Sequence, residues 1–150
     1  TVNAFATLGG QIFVFRGLLE RLETQIGLDM VLAHEVAHIL NRDPIQSVAG
    51  ALGVQLLIAL VTGNGDFAQA NGLIDFGNQI MLSGYSRAQE KAADERALDI
   101  LEVIYQDIRG ADELFKFILT EATNVPEFLS SHPHPQARID QIQARLSGQK

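Results

Sequence analysis

Residues 34–38 read His34-Glu35-Val36-Ala37-His38, an H-E-x-x-H motif inside an apolar, helix-patterned stretch. On a helix, residues four apart share one face, with Cβ atoms roughly 5–6 Å apart. Two imidazoles at that spacing can bind one Zn2+ through ring nitrogens. Glu35 is rotated by about 100° from His34. It therefore flanks the metal and can reach a water held there. Two ligands and a general base are the layout of a zinc peptidase. The plain alternative is a pair of surface histidines on an ordinary helix.

Two histidines leave such a site incomplete, because a catalytic zinc needs a third protein ligand and an open position. The remaining histidines are His132 and His134, both late in the chain. A metzincin would place a third His shortly after His38, behind a Gly. Here Asn41-Arg42-Asp43-Pro44 stands there instead. A carboxylate on a second helix is the other solution, and Glu90-Lys91-Ala92-Ala93-Asp94 fits it. Glu90 and Asp94 share one helical face. Glu90 can bind the metal, and Asp94 can accept the free ring N–H of His34, fixing that ring's orientation. Against this stands a solvated acidic pair on a helix that also carries Lys91, Glu95 and Arg96.

Two further features bear on a site. Pro135, Arg138, Ile139, Ile142 and Leu146 fall on one stripe of a helix, and only Arg138 is charged. A charge on a core-facing stripe needs a partner. Arg138 therefore snorkels to solvent, pairs near Asp94 and the metal, or donates to a substrate. An edge strand, Asn3–Thr7 (with Asn3, Ala4, Phe5 and Ala6) or Gln11–Phe15, could hold an extended peptide by edge pairing; an ordinary sheet strand is the alternative. His134 reads as a surface or N-cap residue.

The elements that must position these groups follow from pattern. Asn3–Thr7 and Gln11–Phe15 flank a Gly pair and predict a hairpin. A helix is expected from Arg16 to Gln25, broken by Gly27. Asp29 is the expected N-cap of the H-E-x-x-H helix, which runs to about Asn41. Asp43 precedes a proline, which disfavours helix there. The apolar run from Ile45 to Val61 reads as the next helix, and 66–84 as helix or loop. Ser86-Arg87-Ala88-Gln89 has capping-box form and opens a helix to Tyr105. Ala111–Ala122 is a shorter helix, Asn124–His134 a loop, and Pro135 starts a last helix to Leu146.

The chain has 150 residues, 47% of them hydrophobic and 19% charged, so one domain with a real core is expected. A net charge of −7 argues against nucleic acid as a partner. With no cysteine, neither disulfides nor a thiolate zinc site is available, and any zinc must use His and carboxylate. No targeting signal is visible and no Met begins the chain, so a fragment of a longer protein is expected. The apolar run 48–62 falls short of the roughly 20 residues that span a bilayer. It reads as a buried or partly exposed helix, with membrane-surface contact as the alternative.

His34–His38, then Ser86-Arg87…Glu90…Ala93-Asp94, then Ser131-His132-Pro133…Arg138-Ile139 resembles the HtpX/BepA/CAAX-prenyl-protease-like zinc metallopeptidases, which are gluzincins. The N-terminal Asn3-Ala4-Phe5-Ala6…Gly9-Gly10 resembles the strand ahead of their zinc helix, with Leu8 where a Pro is common. The resemblance implies an α+β, predominantly helical zincin-like domain over residues 1–150 with a small N-terminal β-hairpin. It implies one Zn2+ held by His34, His38 and Glu90, with Glu35 as base. It places His132 near the metal, as a fourth ligand in a resting state or as an oxyanion donor. It also implies protein or peptide substrates, protein quality control, and a bacterial-type envelope, periplasmic or membrane-associated setting. The expected activity is metalloendopeptidase. The alternative is a chaperone-like binding module with low or regulated turnover, and the presence of Glu35 counts against it. A purely structural zinc domain would be Cys-rich, which this chain is not.

Overall fold

The computed structural model describes residues 1–62, 84–121 and 126–148. Two short strands, β1 (Ala4–Ala6) and β2 (Ile12–Val14), form an antiparallel hairpin. Its register is Ala4↔Val14, Phe5↔Phe13 and Ala6↔Ile12. The turn closes when Thr7 N–H donates to the Gln11 carbonyl at 2.9 Å, as the Gly pair predicts. Ala4 and Ala6 are buried, and β1 packs on the helix that follows. Phe5, Phe13 and Phe15 cluster together.

The expected helix from Arg16 to Gln25 is only a single turn, α1 (Arg16–Leu19). The chain then turns so that Thr24 caps α2 (Gln25–Asn41). Its hydroxyl oxygen accepts from Gly27 N–H at 3.0 Å. Asp29 is therefore not the cap; it lies inside the helix and accepts from Gln25 and from the Tyr105 hydroxyl. Nor does Gly27 break the helix. It sits in the first turn, where a Cβ would collide with the Glu113 carboxylate. That carboxylate accepts from Thr24 N–H at 3.2 Å and from the Thr24 hydroxyl, so the α2 N-terminus is capped twice.

Arg42, with φ of 60°, ends α2. The next helix, α3 (Asp43–Thr62), starts two residues before the expected Ile45. Pro44 lies in the first turn, where no backbone N–H is required. Beyond this start α3 leaves the body: Val54, Leu56, Leu57, Leu60 and Val61 are all more than half exposed. No described helix is long and apolar enough to cross a membrane.

The expected capping box is present. Ser86 and Gln89 exchange side-chain and backbone hydrogen bonds at the start of α4 (Arg87–Ile104). Then come α5 (Glu113–Thr120), α6 (Pro126–Ser131) and α7 (Pro135–Gly148). The α6 turn replaces part of the loop expected over 124–134. Its proline starts the helix, and Phe128 is buried in the core. Positions 66–83 and 122–125, read above as helix or loop, lie outside the described residues.

The main packing is α2 against α4, with α7 closing over both α4 and α5. Buried alanines on the first pair, Ala33 and Ala37, Ala93 and Ala97, keep side chains small at the site's level. Leu18, Met30, Leu98, Leu101, Phe115 and Ile142 fill the core around them. The result is the mostly helical α+β fold expected from the sequence.

Candidate metal centre

The first consequence of the α2–α4 packing is that His34 and His38 face Glu90. Their ring nitrogens Nε2 lie 2.9 Å apart. His38 Nε2 is 3.3 Å from Glu90 Oε1, and His34 Nε2 is 3.6 Å from Glu90 Oε2. Metal bonds of about 2.0–2.2 Å in a tetrahedral site put ligand atoms about 3.3–3.6 Å apart. The two contacts to Glu90 match that edge, and the imidazole pair is somewhat closer. With His132 included, one ligand atom from each of the four buried residues falls within 4.8 Å of the others.

Each imidazole of the His34–His38 pair has a carboxylate on its other nitrogen. His34 Nδ1 is 2.9 Å from Asp94 Oδ1, one helical turn beyond Glu90. His38 Nδ1 is 2.8 Å from Asp43 Oδ2, and Gln89 Nε2 donates to the other Asp43 oxygen at 3.3 Å. Carboxylates in these positions turn both Nε2 atoms toward the cluster, while Arg138 Nη2 lies 2.8 Å from His34 Nδ1 and 3.1 Å from its Nε2.

Arg138 is buried and does not snorkel. Its Nε and Nη2 donate to the two Asp94 oxygens at 2.9 and 2.6 Å. Nη1 lies 3.0 Å from Glu90 Oε2, without the alignment of a hydrogen bond. The guanidinium also sits 4.2 Å over the Phe115 ring. His132 stands at the centre of the remaining carboxylates: Nδ1 is 3.1 Å from Glu90 Oε1 and Nε2 is 3.3 Å from Glu35 Oε1. His134 is exposed at the start of α7 and accepts from Arg87 Nε at 3.0 Å.

The electrostatics follow from this crowding. Burial and the Arg138 charge hold the His34 imidazole well below its ordinary value, so it is neutral, as a ligand must be. Burial alone would raise Glu90, but His132, His38 and His34 outweigh it and hold the carboxyl well below the usual range. Burial also opposes a charge on His132, yet Glu35 and Glu90 raise it. Glu35 Oε2 and His132 Nε2 are buried with no hydrogen-bond partner among the described residues. Unpaired buried polar atoms are costly, and a cation among them offsets that cost. The donor set is nitrogen and oxygen only, which suits zinc.

Two residues of this centre carried no signal in the sequence. Asp43 was read only as the neighbour of Pro44. The left-handed turn at Arg42 brings it back onto His38, and helical spacing does not reveal that. Tyr85 stacks on the His38 ring, with centroids 3.9 Å apart. Burial and the nearby Glu35 and Asp43 charges raise its phenol.

An H-E-x-x-H helix meeting a buried glutamate from a second helix defines a zincin-like metallopeptidase. Residues 1–146 match the model of Peptidase family M48, and the chain belongs to that family. It is 30% identical over 151 residues to the mitochondrial metalloendopeptidase OMA1 of Schizosaccharomyces pombe, covering 97% of this chain and 44% of that protein. It is 25% identical over 160 residues to the beta-barrel assembly-enhancing protease of Escherichia coli K12, covering 97% of this chain and 32% of that protein. Metalloprotease LoiP of the same organism is 27% identical over 150 residues, 97% of this chain and 59% of that protein. The chain thus spans less than two thirds of the length of each of these relatives.

The Arg138 geometry yields a prediction. Replacing Arg138 with Met leaves the buried Asp94 with only the His34 imidazole against it, a loss of about 3–5 kcal/mol by the usual cost of breaking a buried ion pair. Arg138→Lys keeps the charge but not the planar fork, and should lose less. Urea unfolding of the metal-free variants measures both; an unchanged midpoint for the Met variant would refute the pairing.

Proposed function

We propose that this chain is the catalytic domain of a zinc endopeptidase, with residues 1–150 forming one domain of a longer protein. His34, His38 and Glu90 hold Zn2+, and Glu35 is the general base. The observation that carries the reading is the buried convergence of His34, His38, Glu90 and His132 on one point, beside a Glu35 oxygen that lacks a partner among the described residues. Bound zinc supplies Lewis acidity and makes water a stronger acid. The rest is the work of the chain. Glu35 takes a proton from the attacking water and returns it to the leaving amine. Asp94 holds His34 in the tautomer that leaves Nε2 free, and Arg138 holds Asp94.

His132 has the two roles open to a residue at this point. In the described conformation it stands where a fourth ligand would close the site. Moved back with its loop, its ring N–H donates to the oxyanion of the tetrahedral intermediate. Substrates are proteins or peptides, as for the named metalloendopeptidase relatives. Pairing of a substrate strand along Asn3–Ala6 is part of this reading, but Ala4 and Ala6 are buried. An added strand must displace what covers them. Membrane-near quality control is supported by the relatives' names, mitochondrial metalloendopeptidase and beta-barrel assembly-enhancing protease. The exposed apolar side chains of α3 support surface contact through 48–62.

Three outcomes test this. Glu35→Gln should keep one zinc per chain by metal analysis while peptide cleavage falls by about 10²–10⁴-fold. Loss of zinc in that variant, or unchanged cleavage, sinks the assignment; a binding module with little turnover would show no activity to lose. His132→Ala should lower turnover with zinc retained, whereas parallel loss of both would make it an obligatory ligand. Flotation with lipid vesicles should weaken when Leu57 and Leu60 are both replaced by Glu, and equal flotation rules the contact out.

A further inference from the structure

Tyr85 takes no part in the reading above, yet it touches more of the centre than its place in the sequence suggests. Its ring lies nearly flat on the His38 imidazole, with centroids 3.9 Å apart and planes at 21°. Aromatic pairs more often stand about 4.5–7 Å apart, so this contact is close. The same imidazole is held in its own plane by Asp43 at 2.8 Å. The His34 ring meets it edge-on, at 90° and 4.4 Å. Turning the His38 ring about its Cβ–Cγ bond would break the Asp43 contact and drive a ring edge into Tyr85. One residue fixes where Nδ1 points and the other fixes the plane.

Tyr85 is itself held from outside. Its backbone N–H donates to the Ser131 carbonyl at 3.3 Å. Gly84, with φ of +82°, makes that approach feasible, since a Cβ there would collide with the Ser130 carbonyl oxygen. Ser131 immediately precedes His132. Ser86, immediately after Tyr85, opens the capping box of the helix that carries Glu90. The dipeptide Gly84-Tyr85 thus joins the three segments that supply the cluster: the His38 turn of α2, the start of α4 and the end of α6.

We infer that Tyr85 is a positioning residue of the metal centre. Its ring sets the plane of the His38 imidazole, while the Gly84-Tyr85 backbone holds the His132 loop against α4. The inference rests on His38 being a metal ligand. It needs the aromatic face and not the hydroxyl.

The test measures metal directly. Zn2+ affinity of the metal-free chain is read by competition with a chromophoric chelator, and ligand geometry by the visible spectrum of the Co2+-loaded protein. Tyr85→Leu should bind Zn2+ about 10–100-fold more weakly, the usual effect of losing a residue that orients a ligand, and its Co2+ bands should change. Tyr85→Phe should match the parent in both. If the Leu variant does not fold, as judged by unfolding of the metal-free protein, Tyr85→Gln replaces it as the non-aromatic test. Parent-like affinity and spectrum in the non-aromatic variant overturn the inference. So does a loss in Tyr85→Phe as large as in Tyr85→Leu, which would place the effect in the hydroxyl. His38→Ala serves as the control. If it binds Zn2+ as tightly as the parent, the ligand assignment has failed. If it loses the metal while Tyr85→Leu does not, only the positioning role has failed.

Discussion

Four buried carboxylates gather around the metal centre, and the buried guanidinium of Arg138 contacts two of them, Asp94 and Glu90. Glu35, Asp43, Glu90 and Asp94 are each no more than 4% exposed, and Arg138 is 3% exposed. With neutral imidazoles, four negative charges against one positive leave an excess of −3 in the interior. Buried charge without a counter-charge costs several kcal/mol per ion even after relaxation. A divalent cation at the convergence of His34, His38 and Glu90 reduces the excess to −1. The rise in His132's proton affinity toward Glu35 and Glu90 is the same imbalance acting on a different group. Hydrophobic burial can build the α2–α4–α7 core, but not the polar layer inside it. A cation at this convergence would offset part of that cost, so bound metal would add to the stability of the fold.

This constraint explains where the sequence was legible. H-E-x-x-H and Glu90…Asp94 are each carried by one helix, and 3.6-residue periodicity puts their side chains on one face. Arg138 showed itself as a charge on an apolar stripe, because the last helix is otherwise regular. The hairpin was readable from its Gly pair, and the start of α4 from Ser86 and Gln89. In each case the decisive contact spans a few residues, or the rule concerns burial alone.

The rest depended on contacts that no local rule encodes. Thr24 caps α2 in place of Asp29, and the Glu113 carboxylate that completes the cap lies 89 residues away. The same carboxylate explains Gly27, which looks like a helix breaker until something needs the space its side chain would fill. Asp43 reaches His38 only because Arg42 adopts a left-handed conformation, and arginine gives no sign of that. Part of 124–134 reads as loop because of its prolines, yet Pro126 begins a helical turn whose Phe128 is anchored in the core. Turn chemistry predicted breaks in each place, and tertiary packing decided whether the break occurred.

The His34 and His38 imidazoles are oriented by unlike means, and the difference follows from chain connectivity. His34 is served by Asp94 on α4 and by Arg138 on α7, which touches both Asp94 and the imidazole, so its orientation depends on three helices from distant parts of the sequence. His38 is served by Asp43, only five residues on, with Gln89 behind it and Tyr85 on its face. Neutralisation differs as well. Arg138 matches the Asp94 charge directly, whereas Asp43 receives one neutral amide donor and the imidazole N–H. His38 is enclosed on its face by Tyr85, on its edge by His34 and at Nδ1 by Asp43, so little is left for the ring to turn into. Closure from α7 governs the His34 ring and a local turn governs the His38 ring, and a metal between their Nε2 atoms would join the two halves of the site.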